Sequence, residues 1–143
     1  MKILNELKMT IDSRSVNESF SRVAVSAFAA CLDPTVEELT DIRTAVSEAV
    51  TNCIVHGYKQ SFGKIYITVS ICENRLVRIK IRDKGCGIED IKQAMTPLFT
   101  TAGGERAGLG FAVMESFTDK VKVNSASGKG TTVTLYKHIG GKE

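Results

Sequence analysis

Two runs of strict alternation, separated by four residues, constrain this chain more than any other feature. In KIYITVSI (residues 64–71), Ile65, Ile67, Val69 and Ile71 alternate with polar neighbours. In LVRIKIRD (76–83), Val77, Ile79 and Ile81 do the same. A period of two puts the apolar side chains of each run on one face of a strand. The intervening Glu73-Asn74-Arg75 is short enough to make the pair a β-hairpin. A lone hairpin is marginal in water, so its apolar face has to be covered by other elements.

The period changes upstream, where the covering elements can be read. Ile3, Leu7, Met9 and Ile11 suggest a first strand. SVNE (15–18) has the capping-box pattern and introduces a helix whose most apolar stripe is Phe20, Val23, Ala24, Ala27, Phe28 and Cys31. A second helix starts in LDPTVEE. There Asp33 can cap with Pro34 in first position, or Thr35 and Glu38 can form a capping box. Its stripe is Leu39, Ile42, Val46, Ala49, Val50, Cys53 and Ile54, and Gly57 should end it.

Downstream come a short amphipathic segment through Met95, a loop in PLFTTAGGERAGLG, a helix in LGFAVMESF, and a second hairpin, KVKVNSA and TTVTLYK across SGKG. The order β-α-α-β-β-(loop)-α-β-β implies an α+β fold. It is a two-layer sandwich with a mixed, mostly antiparallel sheet and the helices on one face. At 143 residues the chain, 1–143, is the size of a single domain.

Composition excludes several classes. A net charge of +3, with no Lys/Arg run interleaved with aromatics, argues against direct nucleic-acid binding. Trp is absent and aromatics make up 6%, too few for a base-stacking platform. The N-terminal residues lack the apolar core of a signal peptide, and no stretch approaches the roughly 18 apolar residues of a membrane span. The expectation is a cytoplasmic protein with no membrane association. Cys31, Cys53, Cys72 and Cys86 form no C-x-x-C pair and fall within apolar patterns, as core thiols do.

The second helix also contains an anomaly. Glu48, Asn52 and His56 stand at i, i+4 and i+8, one above another on a polar strip beside the apolar stripe. Asn is a poor residue for a helix interior. On this stretch alone a solvated face is the better account. Asp83 ends an apolar strand, with Gly85 and Gly87 following; a turn residue and an acceptor at a pocket edge fit equally well. Four glycines fall between 103 and 110, where a helix begins, and Arg106 stands just before it. A helix start offers free N–H groups to a phosphate. The P-loop and dinucleotide patterns are not met. Nor are catalytic patterns built on His, of which there are two, His56 and His138.

In this order the segments resemble the ATP-binding fold shared by gyrase, Hsp90, histidine kinases and MutL. The matching motifs are Glu48…Asn52, Asp83-Lys-Gly85-Cys-Gly87, Gly108-Leu-Gly110 and Gly130-Thr-Thr132. NESFSRV, LDPTVEELTDIRTAVSEAVTNCIVHGY, PLFTT and GLGFAVMESFTD are similar to the bacterial anti-sigma F family of serine kinases, over nearly the whole chain. The resemblance implies ATP/ADP and Mg²⁺ as ligands. It makes Asn52 the Mg²⁺ ligand and Glu48 the general base facing the γ-phosphate. Asp83 accepts from the adenine amino group, and Gly85 and Gly87 line the base pocket. Thr100 and Thr101 begin a lid, Arg106 contacts the γ-phosphate, Gly108 and Gly110 support the phosphates, and Thr132 lies near the adenine. After the threonines the chain has Ala102-Gly103 where the family has Lys-Pro.

The implied partners are sporulation sigma factor F and an anti-anti-sigma protein phosphorylated on serine, both contacted through Glu18 and Arg22, with the chain a homodimer. A related anti-sigma kinase for a general-stress sigma factor would share these motifs. A nucleotide-gated binding module without transferase activity would share them too.

Overall fold

The computed structural model describes residues 1–59, 61–88 and 109–140. Strand β1 (Ile3–Asp12) leads into helix α1 (Val16–Ala29), a 3-10 turn (Ala30–Leu32) and helix α2 (Val36–Asn52), which runs on as a π turn (Cys53–Gly57). Strands β2 (Lys64–Cys72) and β3 (Leu76–Asp83) follow, then helix α3 (Leu109–Phe117) and strands β4 (Lys120–Ala126) and β5 (Gly130–His138). The short amphipathic segment expected through Met95, and most of the loop after it, lie outside the described residues.

The strands form one sheet in the order β1-β2-β3-β5-β4, and every pairing is antiparallel. The alternation that defined the first hairpin is also the division of the sheet into faces. Ile65, Ile67, Val69, Ile71, Val77, Ile79 and Ile81 are all buried, together with Val133 and Leu135 of β5. They pack in one core with Ile42, Val46 and Val50 of α2 and Met114 of α3. Burying a side chain of this size stabilises the fold by about 1.5–3 kcal/mol. The hairpin turn is closed by Asn74 and Arg75, both at positive φ. Arg75 then donates to the carbonyls of Ile139 and Leu32, which fixes the turn against both layers.

Of the two ways to start α2, the capping box is the one formed. The Glu38 N–H donates to Thr35 Oγ1 at 3.1 Å, and the Thr35 N–H donates to Glu38 Oε1 at 2.9 Å. Glu38 Oε2 accepts the Gly140 N–H at 2.8 Å, and Lys137 pairs with Asp41 at 3.0 Å. The first turns of α2 are thus tied to the end of β5. The helical path ends at Gly57 as expected, but its last turn is wider than an α-turn, the Tyr58 N–H bonding to the Cys53 carbonyl at 2.9 Å.

Helix α1 departs from its sequence reading in two respects. Ser15 has helical backbone angles and its side chain makes no cap bond, so the SVNE box does not close. Glu18 pairs instead with Arg22 at 3.2 Å. The buried face is also different: Ser21, Val25, Ser26 and Ala29 point inward, while Phe20 and Val23 are 55% and 52% exposed. Ala27 and Cys31 are exposed as well. The reason lies in the serines. Ser21 Oγ donates to the carbonyls of Asn17 and Glu18, and Ser26 Oγ donates to Val23 and accepts from Arg43 Nε at 3.0 Å. With their hydroxyls satisfied, small residues can be buried and α1 can approach α2 closely.

The cysteines divide likewise. Cys53 and Cys72 are core thiols, whereas Cys31 and Cys86 are exposed. Among the described residues, no helix is long and apolar enough to cross a membrane.

The two capping patterns should separate on substitution. Thr35→Ala should lower stability by about 1 kcal/mol, the usual contribution of an N-cap side chain. Ser15→Ala should stay within about 0.5 kcal/mol of the original chain. Urea unfolding midpoints measure both.

Candidate active site

The site is built where the end of α2 meets the end of β3. Glu48 and Asn52 stand one turn apart in the last part of α2, both half-buried. The π turn then delivers Gly57 against Asp83. A Cβ on Gly57 would lie 2.7 Å from Asp83 Oδ2, and one on Gly85 would lie 2.0 Å from the Gly57 carbonyl oxygen. That carbonyl accepts the Cys86 N–H at 2.9 Å. Two backbones touch here with no side chain between them, which only glycine permits. A π turn within a helix is rare and is found most often at functional sites.

Asp83 is 3% exposed, the only carboxylate buried to that degree among the described residues. Its Oδ1 accepts the Gly85 N–H at 2.9 Å, and the Cys53 thiol and the Thr131 main chain also bond to the carboxylate. Burial pushes the Asp83 carboxyl above the ordinary carboxylate range, and these donors pull part of the way back. Cys53 is shifted well up, first by its own burial and then by the charge of Asp83, so it remains a thiol that can donate. The Tyr58 hydroxyl accepts the Lys84 N–H at 2.8 Å and donates to the Lys64 carbonyl, bracing the strand ends beneath Asp83.

The floor beyond Asp83 comes from the second hairpin. Gly87, at φ +76°, lies so close to Ala126 that a Cβ would stand 2.0 Å from its carbonyl oxygen. Ser125 Oγ lies 2.7 Å from Thr131 Oγ1 and accepts the Ile88 N–H at 2.7 Å.

Gly110, in the first turn of α3, completes the other end. A Cβ there would meet Asn52 Oδ1 at 3.1 Å and Glu48 Oε1 at 3.4 Å. The structure therefore brings Glu48, Asn52 and Gly110 together, and Asp83, Gly85 and Gly87 together, joined by the π turn. Thr132 is not part of this group. Strand register sets Thr131 opposite Asp83 and Thr132 opposite Arg82, so Thr132 faces away from the helices. Thr100, Thr101, Arg106 and Gly108 lie outside the described residues. Glu18 and Arg22 sit on α1 as an ion pair of their own.

Residues 12–137 match the model of the histidine kinase-like ATPase domain. An anti-sigma F factor from Thermoanaerobacter sp. (strain X514) is 54% identical over 141 residues, spanning 98% of each chain. The anti-sigma F factor of Bacillus subtilis (strain 168) is 50% identical over 137 residues, 94% of this chain and 93% of that one. The chain belongs to the anti-sigma F factor family. Among solved structures, the RsbU and RsbW domains of a Mycobacterium tuberculosis protein match with a TM-score of 0.69 at 22% identity, over 95% of this chain and 32% of that one. A histidine kinase domain from Erythrobacter litoralis matches with a TM-score of 0.58 at 16% identity, over 87% of this chain and 60% of that one. These two likenesses show the fold.

Within that family fold, several residues around the motifs escaped the sequence reading. Gly57 was legible only as a helix stop, Cys53 only as a core thiol, and Thr131 only as the neighbour of Thr132. The alternation of β5 held a signal for Thr131. Val133 and Leu135 are apolar and point inward, so the odd-numbered Thr131 shares their face and Thr132 does not.

The raised Asp83 carboxyl has a consequence for stability. Between its ordinary value and its raised one, the folded chain holds a proton that the unfolded chain has already released, so stability falls as pH rises across that interval. Asp83→Asn removes this contribution. Melting temperature measured against pH should show the variant gaining steadily on the original chain as pH rises through the interval. A constant difference would mean that Asp83 titrates as an exposed carboxylate does.

Proposed function

We propose that the chain is an ATP- and Mg²⁺-dependent protein-serine kinase that also holds sporulation sigma factor F inactive. Its phosphorylation substrate is a serine on an anti-anti-sigma protein, and it works as a cytoplasmic homodimer. The observation that supports this best is the grouping of Glu48 and Asn52 against the bare Gly110 at the start of α3, with the buried Asp83 at the far end of the π turn.

In this reading Asp83 accepts from the adenine amino group and Gly85 and Gly87 let the base approach the backbone. Thr131, rather than Thr132, lies on the adenine side. The start of α3, with Gly108 and Gly110, faces the phosphates with free N–H groups. Arg106 contacts the γ-phosphate, and Thr100 and Thr101 begin the lid.

Mg²⁺ fits the residues present. It takes one or two protein oxygens and completes its shell with phosphate and water, so the Asn52 amide oxygen suffices. Among the described residues no group of three or more His, Cys, Asp or Glu forms an all-protein cage. When bound, the ion neutralises charge on the phosphates.

Glu48 takes the proton of the partner's serine hydroxyl. The serine oxygen then forms a bond to the γ-phosphorus as the bond to the β–γ bridging oxygen breaks, and ADP leaves. Positioning and charge stabilisation supply most of the rate in such a transfer.

The partner surface is assigned to α1. Its exposed stripe of Val16, Phe20 and Val23 leaves apolar side chains in solvent next to the Glu18–Arg22 pair. Contiguous exposed apolar surface with a polar rim marks protein contact sites.

Two measurements test the reading. Glu48→Gln keeps the shape and hydrogen-bonding reach of the side chain but not its basicity. Phosphorylation of the anti-anti-sigma serine should fall about 10²–10⁴-fold while nucleotide and sigma-factor binding persist. A wild-type rate in a variant that binds ATP would leave a nucleotide-gated binding module as the better account. Arg22→Ala removes a half-exposed ion pair worth only a few tenths of a kcal/mol to folding. It should nevertheless weaken binding to both protein partners by about 1–4 kcal/mol, the range of an interface Arg. Calorimetric titration with each partner reads this directly, and unchanged affinity for both would remove α1 from the partner surface.

A further inference from the structure

The face of the sheet turned away from the core is divided by charge. On the β1–β2 side cations have partners: Lys8 with Glu6 at 3.8 Å, and Lys64 with Asp12. On the β3–β5–β4 side they have none among the described residues. Arg78, Lys80 and Arg82 of β3 and Lys122 of β4 line a groove of about 590 Å³, with Lys129 at its end and Tyr136 in its wall. Among the described residues no carboxylate pairs with any of these five cations. Lys120 adds a sixth positive charge, its ammonium 5.6 Å from the Tyr136 ring centroid.

Register makes the arrangement regular. Arg78, Tyr136 and Lys120 form one rank across the three strands, Lys80, Thr134 and Lys122 the next, and Arg82, Thr132 and Asn124 the third. Thr134 is only 5% exposed although no described helix covers this face, so the Lys80 and Lys122 stems flank a closed floor. Like charges gathered on neighbouring strands repel and reduce stability. Without these six, the remaining Lys and Arg would be fewer than the chain's 16 Asp and Glu. The positive charge is therefore concentrated here rather than spread over the surface.

We propose that the outer face of β3, β5 and β4 docks an acidic, extended segment of a protein partner. Alternate residues on a strand lie about 6.6–6.8 Å apart. Arg78, Lys80 and Arg82 present charges at that interval, matching carboxylates on every second residue of an extended chain. Arg adds a planar fork that can hold a carboxylate through two hydrogen bonds. Single-stranded nucleic acid is disfavoured because its binders stack bases on successive aromatic rings. This groove holds Tyr136 alone, and Lys120 already covers that ring. Asp83 and Thr131 of the nucleotide site border the same groove, but none of the six cations belongs to that site, so the proposal does not depend on the kinase reading.

The test compares two triple variants of equal charge change in the full chain. One is Lys80→Gln, Arg82→Gln, Lys122→Gln; the other is Lys2→Gln, Lys8→Gln, Lys64→Gln. A fluorescent deca-glutamate peptide and a ten-nucleotide oligo-dT are titrated by anisotropy at low and moderate salt. The groove variant should lose peptide affinity about tenfold or more, the sum of three modest ion pairs, while the control stays within about twofold. Both should stay folded, the groove variant melting no lower than the original chain because it sheds like-charge repulsion. Should the groove triple fail to fold, Arg82→Gln with Lys122→Gln, set against Lys8→Gln with Lys64→Gln, carries the same comparison. Equal losses in the two variants, no peptide binding by the original chain, or tighter binding of oligo-dT through the groove would each overturn the proposal.

Discussion

The contact between the backbones of Gly57 and Gly85 is the constraint on which the site depends. It fixes the end of α2 to the loop after β3 without an intervening side chain, and the two halves of the site belong to those two elements. A Cβ on Gly85 would run into the Gly57 backbone, which no side-chain rotation could absorb, and one on Gly57 would press on the Asp83 carboxylate. The π turn exists at the place where this contact has to be made. An α-turn of the same residues would carry Gly57 past Asp83 rather than onto it. The buried carboxylate is then held by donors from three directions: the Gly85 N–H, the Cys53 thiol and the Thr131 main chain. Such a group is expensive to bury and is retained where its acceptor capacity is used.

How far the fold was legible depended on which interaction decided each element. The central hairpin could be read from period alone, because Ile65 to Ile71 and Val77 to Ile81 alternate with polar residues and one face has to be buried. The second helix was clear in its stripe, while its start was open between Asp33 and Thr35 as cap until the structure showed the Thr35–Glu38 box. Helix α1 misled because periodicity selects the most apolar stripe, whereas the structure buries the smallest one. Ser21 and Ser26 look polar in sequence, but each satisfies its hydroxyl against its own helix. The difference between a capping box that forms and one that does not, Thr35 against Ser15, rests on backbone angles that sequence leaves open.

The site was legible as a set of motifs and illegible as a surface. Glu48, Asn52, Asp83, Gly85, Gly87 and Gly110 could be named because their motifs, taken in order, resemble a known ATP-binding fold; residue by residue, a solvated strip and a turn accounted for them as well. Thr131 and Thr132 could not be told apart by motif; the alternation with Val133 and Leu135, and the register with β3, assign them to opposite faces. The basic groove escaped entirely. Its cations are spaced by two along β3 and come from β4 and the last turn, so no run of positive residues exists in the sequence to betray it.

The width of the π turn also bears on how this chain can vary in length. Its five residues close a ring one residue larger than an α-turn. Losing one residue between Asn52 and Tyr58 would let the α-helix continue and rotate everything beyond by about 100°. Gly57 would then leave Asp83, and the Cys86 N–H would lose its acceptor. An exposed side chain in this stretch, Val55, can change identity. The number of residues cannot. The spacing from Glu48 to Gly57 thus acts as a ruler for the site, and a change of length between them would break the Gly57–Asp83 contact.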